Sequence, residues 1–210
     1  MPTSLWSVVG RVPWTLWTVL SVGVALFSYR YVIGVGPFPE EITGNLLALP
    51  WLAIHAAVAS TALLVAPLQF ITRLRNRHPR LHRIVGRVYV VACLLGGLTG
   101  LPLAWGATAG PIATAGFGLL AILWIVTTTL AWRHAVARRI TAHRQWMIRS
   151  VSLTAAGIML RVYLGVLLAL PVEFGDGYRV IAFLCWVPNI VLAELYIRAK
   201  WPRRATAVMA

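Results

Sequence analysis

Residues 73–105 read RLRNRHPRLHRIVGRVYVVACLLGGLTGLPLAW. The character of the chain changes halfway along. Arg73, Arg75, Arg77, Arg80 and Arg83 crowd the first part, whereas residues 84–105 hold a single charge, Arg87. A helix needs about 20 apolar residues to cross a bilayer. The stretch therefore reads as a basic connection feeding a membrane span. The same arrangement recurs further on, where AHRQWMIRS (residues 142–150) follows Arg138 and Arg139 and leads into another apolar run.

Composition agrees with that reading. The chain has 210 residues, 60% of them hydrophobic and 11% charged, with a mean hydropathy of +0.79. Soluble domains carry about 25% charged residues, so this chain cannot build a water-compatible surface over its whole exterior. The net charge of +14 comes from 19 Lys and Arg against 5 Asp and Glu. The basic residues lie between apolar runs rather than on a folded face, which argues against nucleic-acid binding and for anionic lipid headgroups at the cytoplasmic face as partners. Cys93 and Cys185 sit inside apolar runs with no CxxC or Cys/His spacing, so neither a disulfide framework nor a metal site is expected.

Six spans are expected, over residues 12–33, 46–71, 84–105, 111–132, 146–170 and 178–197. They form one transmembrane domain over residues 1–210, an all-α integral membrane protein with six helices in a compact bundle. The first apolar run is read as a retained span, not a cleaved signal, because it is long and no small-residue cleavage site follows it. Arginines fill the connection between spans two and three, the connection between spans four and five (Arg133, Arg138, Arg139, Arg144, Arg149) and the tail (Arg198, Lys200, Arg203, Arg204). The alternate connections carry acidic residues or no charge. Basic residues mark the cytoplasmic side, so both termini are expected there, in the cytoplasmic membrane of a bacterium. Trp6, Trp14, Trp51, Trp105, Trp132, Trp146 and Trp201 fall near span ends, as an interfacial belt does. Gly96 and Gly100 form a small-xxx-small pair for close helix approach, and Pro188 is expected to kink the sixth span.

Polar groups inside a bilayer are costly and usually functional. His55 and Arg161 each lie nine residues from the end of a span opposite the arginines, and Asn189 lies eleven residues into span six; at the helical rise these depths are ~13, ~13 and ~16 Å. The three are expected to form one polar layer, with Arg161 holding an anion or carbonyl and His55 acting as proton carrier or hydrogen-bond partner. Glu194 lies too far from that layer to pair with Arg161; Arg87 or Arg149 fits its depth.

His82 and His143 form a second candidate set. Each opens a span next to an arginine-rich connection. If the two hairpins pack together, the pair offers axial ligands for one b-type haem, with Arg83, Arg87 and Arg144 beside its propionates or beside lipid phosphates. The plainer alternative is that these histidines and arginines are boundary residues bonded to headgroups and loops.

The pattern HAAVASTALLVAPLQF, then LHRIVGRVY, then HRQWMIRS, resembles a family of uncharacterised bacterial multi-pass membrane proteins. The shared positions are His55; Pro67, Leu68, Gln69 and Phe70; His82, Arg83, Gly86, Arg87 and Tyr89; and His143, Arg144 and Trp146. The resemblance spans roughly residues 50–165. It implies a multi-pass membrane fold and no particular activity.

The sequence contains no nucleophile elbow, paired carboxylates, phosphate-binding glycine loop or HExxH, so no catalytic residues are assigned and the chain leans away from being an enzyme. Three functions stay open. The first is a non-catalytic accessory or structural subunit of a larger membrane complex of respiratory or photosynthetic type, in contact with other membrane subunits. The second is a redox-cofactor module for electron transfer, binding haem b at His82/His143 and a quinone at His55/Arg161. The third is a small-molecule transporter.

Overall fold

The computed structural model describes residues 11–202 except Pro37, Pro39 and Leu46. Trp6, Arg203, Arg204 and the expected start of span two at residue 46 lie outside the described residues. Every regular element described is helical: α1 (Arg11–Ser28), α2 (Arg30–Ile33), α3 (Glu40–Thr43), α4 (Ala48–Val65), α5 (Thr72–Arg77), α6 (Pro79–Trp105), α7 (Pro111–Val136), α8 (Ile140–Thr154), α9 (Ala156–Ala169), α10 (Phe174–Leu184) and α11 (Val187–Lys200). A 3-10 turn, Pro67–Phe70, ends the second span.

Six helical stretches are long and apolar enough to cross a membrane: Trp14–Ile33, Pro50–Phe70, Pro79–Trp105, Pro111–Val136, Ile140–Ala169 and Phe174–Lys200. The last two are each two helices in series, α8 with α9 and α10 with α11. The third to sixth stretches overrun the expected spans on the arginine side, and the sixth also starts four residues early, because a helix keeps its hydrogen bonds beyond the hydrocarbon while hydropathy stops at its edge. Thus α6 begins at Pro79, whose missing N–H costs nothing in a first turn. His82 and His143 consequently occupy the same register, the fourth residue of α6 and of α8.

The centre of the bundle is α6, which packs between α4 and α7; α8 lies on α7, α11 on α8, α10 on α7, and α1 on α4 with a lighter contact to α9. Glycine makes the closest approaches possible. A Cβ at Gly96 would fall 2.7 Å from the Trp124 ring, and one at Gly116 would fall 2.9 Å from the Ala182 carbonyl oxygen. Gly100 packs against the imidazole of His55 on α4 and against Ala121 on α7, its ideal Cβ lying 3.4 Å from the ring and 3.7 Å from the Ala121 Cβ. Outward-facing residues such as Leu26, Val91, Leu98, Val166 and Leu195 are exposed, as expected where lipid supplies the contact. Trp14, Trp51, Trp105 and Trp132 are exposed near helix ends.

Pro188 breaks the sixth span rather than bending it. Helix α10 stops at Leu184, and α11 starts at Val187 with the proline in its first turn.

Candidate functional site

A cavity of ≈ 350 Å³ opens between α1, α4, α6, α7, α9 and α10. Leu63, Phe117, Leu120, Leu153, Leu160 and Leu164 make its walls mostly apolar. Set into those walls are Arg30, His55 and Arg161, and no Asp or Glu is among the described lining residues. Its described lining is cationic.

His55 comes from the middle of α4. Its Nδ1 lies 3.0 Å from the Gly96 carbonyl oxygen. A carbonyl only accepts, so Nδ1 carries the proton, and the Nε2 of the neutral ring is a lone pair. Nε2 makes no hydrogen bond among the described residues, and it is not sealed from the cavity. Gly100 gives the ring its room, since a side chain there would crowd the imidazole edge.

Arg161 comes from α9, six residues beyond the joint at Ala155. Its guanidinium lines the cavity, yet among the described residues it makes no hydrogen bond and no ion pair. The two ion pairs described elsewhere use Arg149 with Glu194 and Arg179 with Asp176. A guanidinium presents five N–H donors in a rigid fork suited to carbonyl, carboxylate or phosphate oxygens. Away from bulk water these donors need acceptors, and among the described residues the walls offer Tyr31 and Tyr178 but no carboxylate. Two further lining groups are buried without a partner, the hydroxyls of Ser28 and Ser60. Arg30 stands at the cavity's rim, with its guanidinium carbon 4.2 Å from the centre of the Phe27 ring.

Roof and floor are pinned. Asn45 caps the roof: its amide nitrogen donates to the Leu103 carbonyl at 2.8 Å, and its oxygen accepts from Leu47 N at 2.9 Å. Trp124 and Thr154 form the floor, where Trp124 Nε1 donates to Thr154 Oγ1 at 2.9 Å. Beneath them a net of hydroxyls joins α6, α7 and α8. The Thr154 hydroxyl donates to the Ser150 carbonyl. For every contact in the net to carry a proton, Tyr89 must then donate to Thr154 (2.8 Å), Ser150 to Tyr89 (2.9 Å), and Thr128 to Ser150 (2.7 Å). Each hydroxyl of this net has its partner, so the net braces the floor.

Of the three residues expected in one polar layer, His55 and Arg161 line this cavity and Asn189 does not. Asn189 bonds backward within its own span, its amide nitrogen donating to the Cys185 carbonyl at 3.1 Å across the break between α10 and α11. The second candidate set is different in kind. His143 Nδ1 donates to the Ala131 carbonyl at 2.9 Å, leaving its Nε2 lone pair available. His82 Nδ1 is buried and unpartnered, as is the amide nitrogen of Gln69, which packs over Gly86 one turn along α6. Arg83, Arg87 and Arg144 are exposed. Neither of the two cavities described is lined by His82 or His143. Among the described residues no three His, Cys, Asp or Glu side chains converge. Sequence reading missed Arg30, Ser28, Ser60, Asn45 and Tyr178 as wall residues; the one available signal was Arg30 interrupting an apolar run.

Six membrane-length helices enclosing a cationic cavity define an all-helical, multi-pass membrane protein. The chain belongs to the family described as Predicted membrane protein (DUF2306), whose model matches residues 52–197. The matched region includes His55, His82, His143, Arg161 and Asn189, while α1 and Arg30 precede it. No curated protein and no solved structure matches the chain.

Proposed function

We propose that this protein binds a small, mostly apolar molecule in the intramembrane cavity, with a carbonyl head of the quinone class directed at Arg161. The observation that carries this reading is the cavity-lining guanidinium without a protein acceptor. An oxygen on the ligand meets the Arg161 fork, and a hydroxyl of the reduced form donates to His55 Nε2. The volume, ≈ 350 Å³, suits a substituted aromatic ring, and pockets for such molecules start at about 300 Å³.

The test is equilibrium binding of a decyl-tailed benzoquinone to the protein in lipid nanodiscs. Losing a hydrogen bond to a charged donor costs about 1.5–3 kcal/mol, so Arg161→Gln is expected to weaken binding roughly 10- to 150-fold. Equal affinity in wild type and variant would overturn the reading.

The closed floor at Trp124 and Thr154 supports binding over passage, and so counts against a transporter. The accessory-subunit expectation rests on apolar flanks that lipid covers as well as a partner subunit would. Co-migration with a larger membrane complex on a native gel would support that role. The haem reading has one favourable feature, the Ala131 carbonyl orienting His143 as a ligand imidazole is oriented. A reduced-minus-oxidised spectrum checks it, and a colourless protein made with haem supplied would sink it. We further propose that residues 1–210 form one domain in a bacterial cytoplasmic membrane, with both termini and the arginine-rich connections cytoplasmic. Labelling of single cysteines from outside intact cells checks this: positions in residues 171–176 should react and positions in residues 73–80 should not.

A further inference from the structure

The cavity has a rim that faces lipid. Phe27 on α1 and Gly165 and Leu168 on α9 line it, and all three are exposed on the outside of the bundle, Phe27 and Leu168 to 53% and 56%. A residue that lines a cavity and also faces outward marks the edge of an opening. This one lies along the seam where α1 touches α9 lightly. The seam is loosest at Gly165, where a Cβ would meet no atom within 4 Å. Arg30 rests on the face of Phe27 and also lines the cavity. The roof is tighter: Asn45 is bonded on both sides, and Gly106 has no room for a Cβ against it.

We propose that the cavity loads sideways from the bilayer, through the α1–α9 seam at Gly165, and that its ligand is therefore a membrane-dissolved lipophile whose apolar tail stays in the seam while its head reaches Arg161. This rests on the binding reading above and narrows the ligand class: a tailed, bilayer-partitioned quinone rather than a water-borne anion. Arg30 is the first cation the head meets, and Arg161, four residues deeper than Gly165 on α9, is the second. Tail carbons left between Phe27 and Leu168 exchange lipid contact for protein contact at little cost.

The test compares two probes on nanodisc-embedded protein, a decyl-tailed benzoquinone and the same ring without its tail, and follows loading by quenching of tryptophan fluorescence. Leu168→Trp fills the seam about two helical turns from Arg161, out of reach of its guanidinium. Its expected effect is slower loading of the tailed probe by about tenfold or more, with affinity for the tail-less ring within about twofold of wild type. Retained binding of the tail-less ring also establishes that the variant is folded. Leu168→Ala, which widens the seam, should speed loading of the tailed probe by about twofold or more. Loading rates that stay at the wild-type value in either folded variant would overturn the proposal. Binding of neither probe by the wild-type protein would instead overturn the quinone reading on which it rests.

Discussion

Arg149 and Glu194 meet side by side: Arg149 Nη2 donates to Glu194 Oε2 at 3.0 Å while Arg149 Nε donates to the other carboxylate oxygen. The pair ties α8 to α11, and the Trp146 ring stacks on the guanidinium, 4.5 Å from its central carbon. Both side chains keep some solvent access, so the pair is worth more than a surface contact and less than a buried one. Glu194→Gln should destabilise the protein by about 1–2 kcal/mol. Exchanging the charges, Arg149→Glu with Glu194→Arg, should recover part of the loss. Thermal unfolding in mild detergent measures both; a double variant no better than the single one would show that pairing is not the source.

Gly116 is expected to resist substitution. An added Cβ would fall 2.8 Å from Ala182 Cβ and 2.9 Å from the Ala182 carbonyl oxygen, and the backbone of α10 cannot swing aside as a flexible side chain can. Gly116→Ala should cost about 1–3 kcal/mol. Gly118, two residues on, has nothing within 4 Å of its ideal Cβ, so Gly118→Ala should stay within about 1 kcal/mol of wild type. Equal behaviour in the two would refute the contact argument.

Tyr89 is the hub of the hydroxyl net. Tyr89→Phe leaves Ser150 without an acceptor and Thr154 without one donor, at a cost of about 1 kcal/mol. Because Thr128 donates into the same net, the double variant Tyr89→Phe/Thr128→Val should lose less than the sum of its parts. Strict additivity in chemical unfolding would mean that the net is not cooperative.

Acid should weaken the start of the sixth span. Glu173 caps α10 by accepting from Asp176 N at 2.8 Å, and this bond, together with that from the Gly175 amide, holds its carboxyl below the usual glutamate range. A folded-state pKa below the unfolded one means that the stabilisation is complete above the ordinary glutamate value, about 4.3, and is lost as pH falls through the lower folded value. Glu173→Gln should therefore be less stable than wild type at pH 7, and the difference should shrink toward pH 3. Melting curves across that range check the sign, and a gap that widened in acid would contradict it.

The spans were legible because bilayer thickness imposes length and composition together. Their ends on the arginine side were not, since Pro79–Arg83 and Ile140–Arg144 are helical without being apolar. Depth was legible too. It offered Arg87 or Arg149 for Glu194, of which Arg149 is the partner, and it set His55 and Arg161 at one expected level; both line the cavity. Depth is a single coordinate, however, and says nothing about which way a residue faces around its helix. Asn189, expected at the same level, instead serves the Cys185 carbonyl at the break between α10 and α11. Ser28 and Ser60 gave no signal, because an isolated serine in an apolar run also occurs where it bonds its own helix. The hydroxyl net was half visible: Ser150 and Thr154 stand four apart, on one face of α8, but their partner Tyr89 needed the packing of α6 to be known.

The unpaired guanidinium of Arg161 also turns heat resistance into an assay. Whatever compound presents oxygen to those N–H groups binds the folded chain and not the unfolded one, and so raises the melting temperature by mass action. At a hundred times its Kd such a compound adds about 2.7 kcal/mol. A library of lipophiles can thus be ranked by thermal shift alone, with Arg161→Gln as the silent control, before any reaction is known.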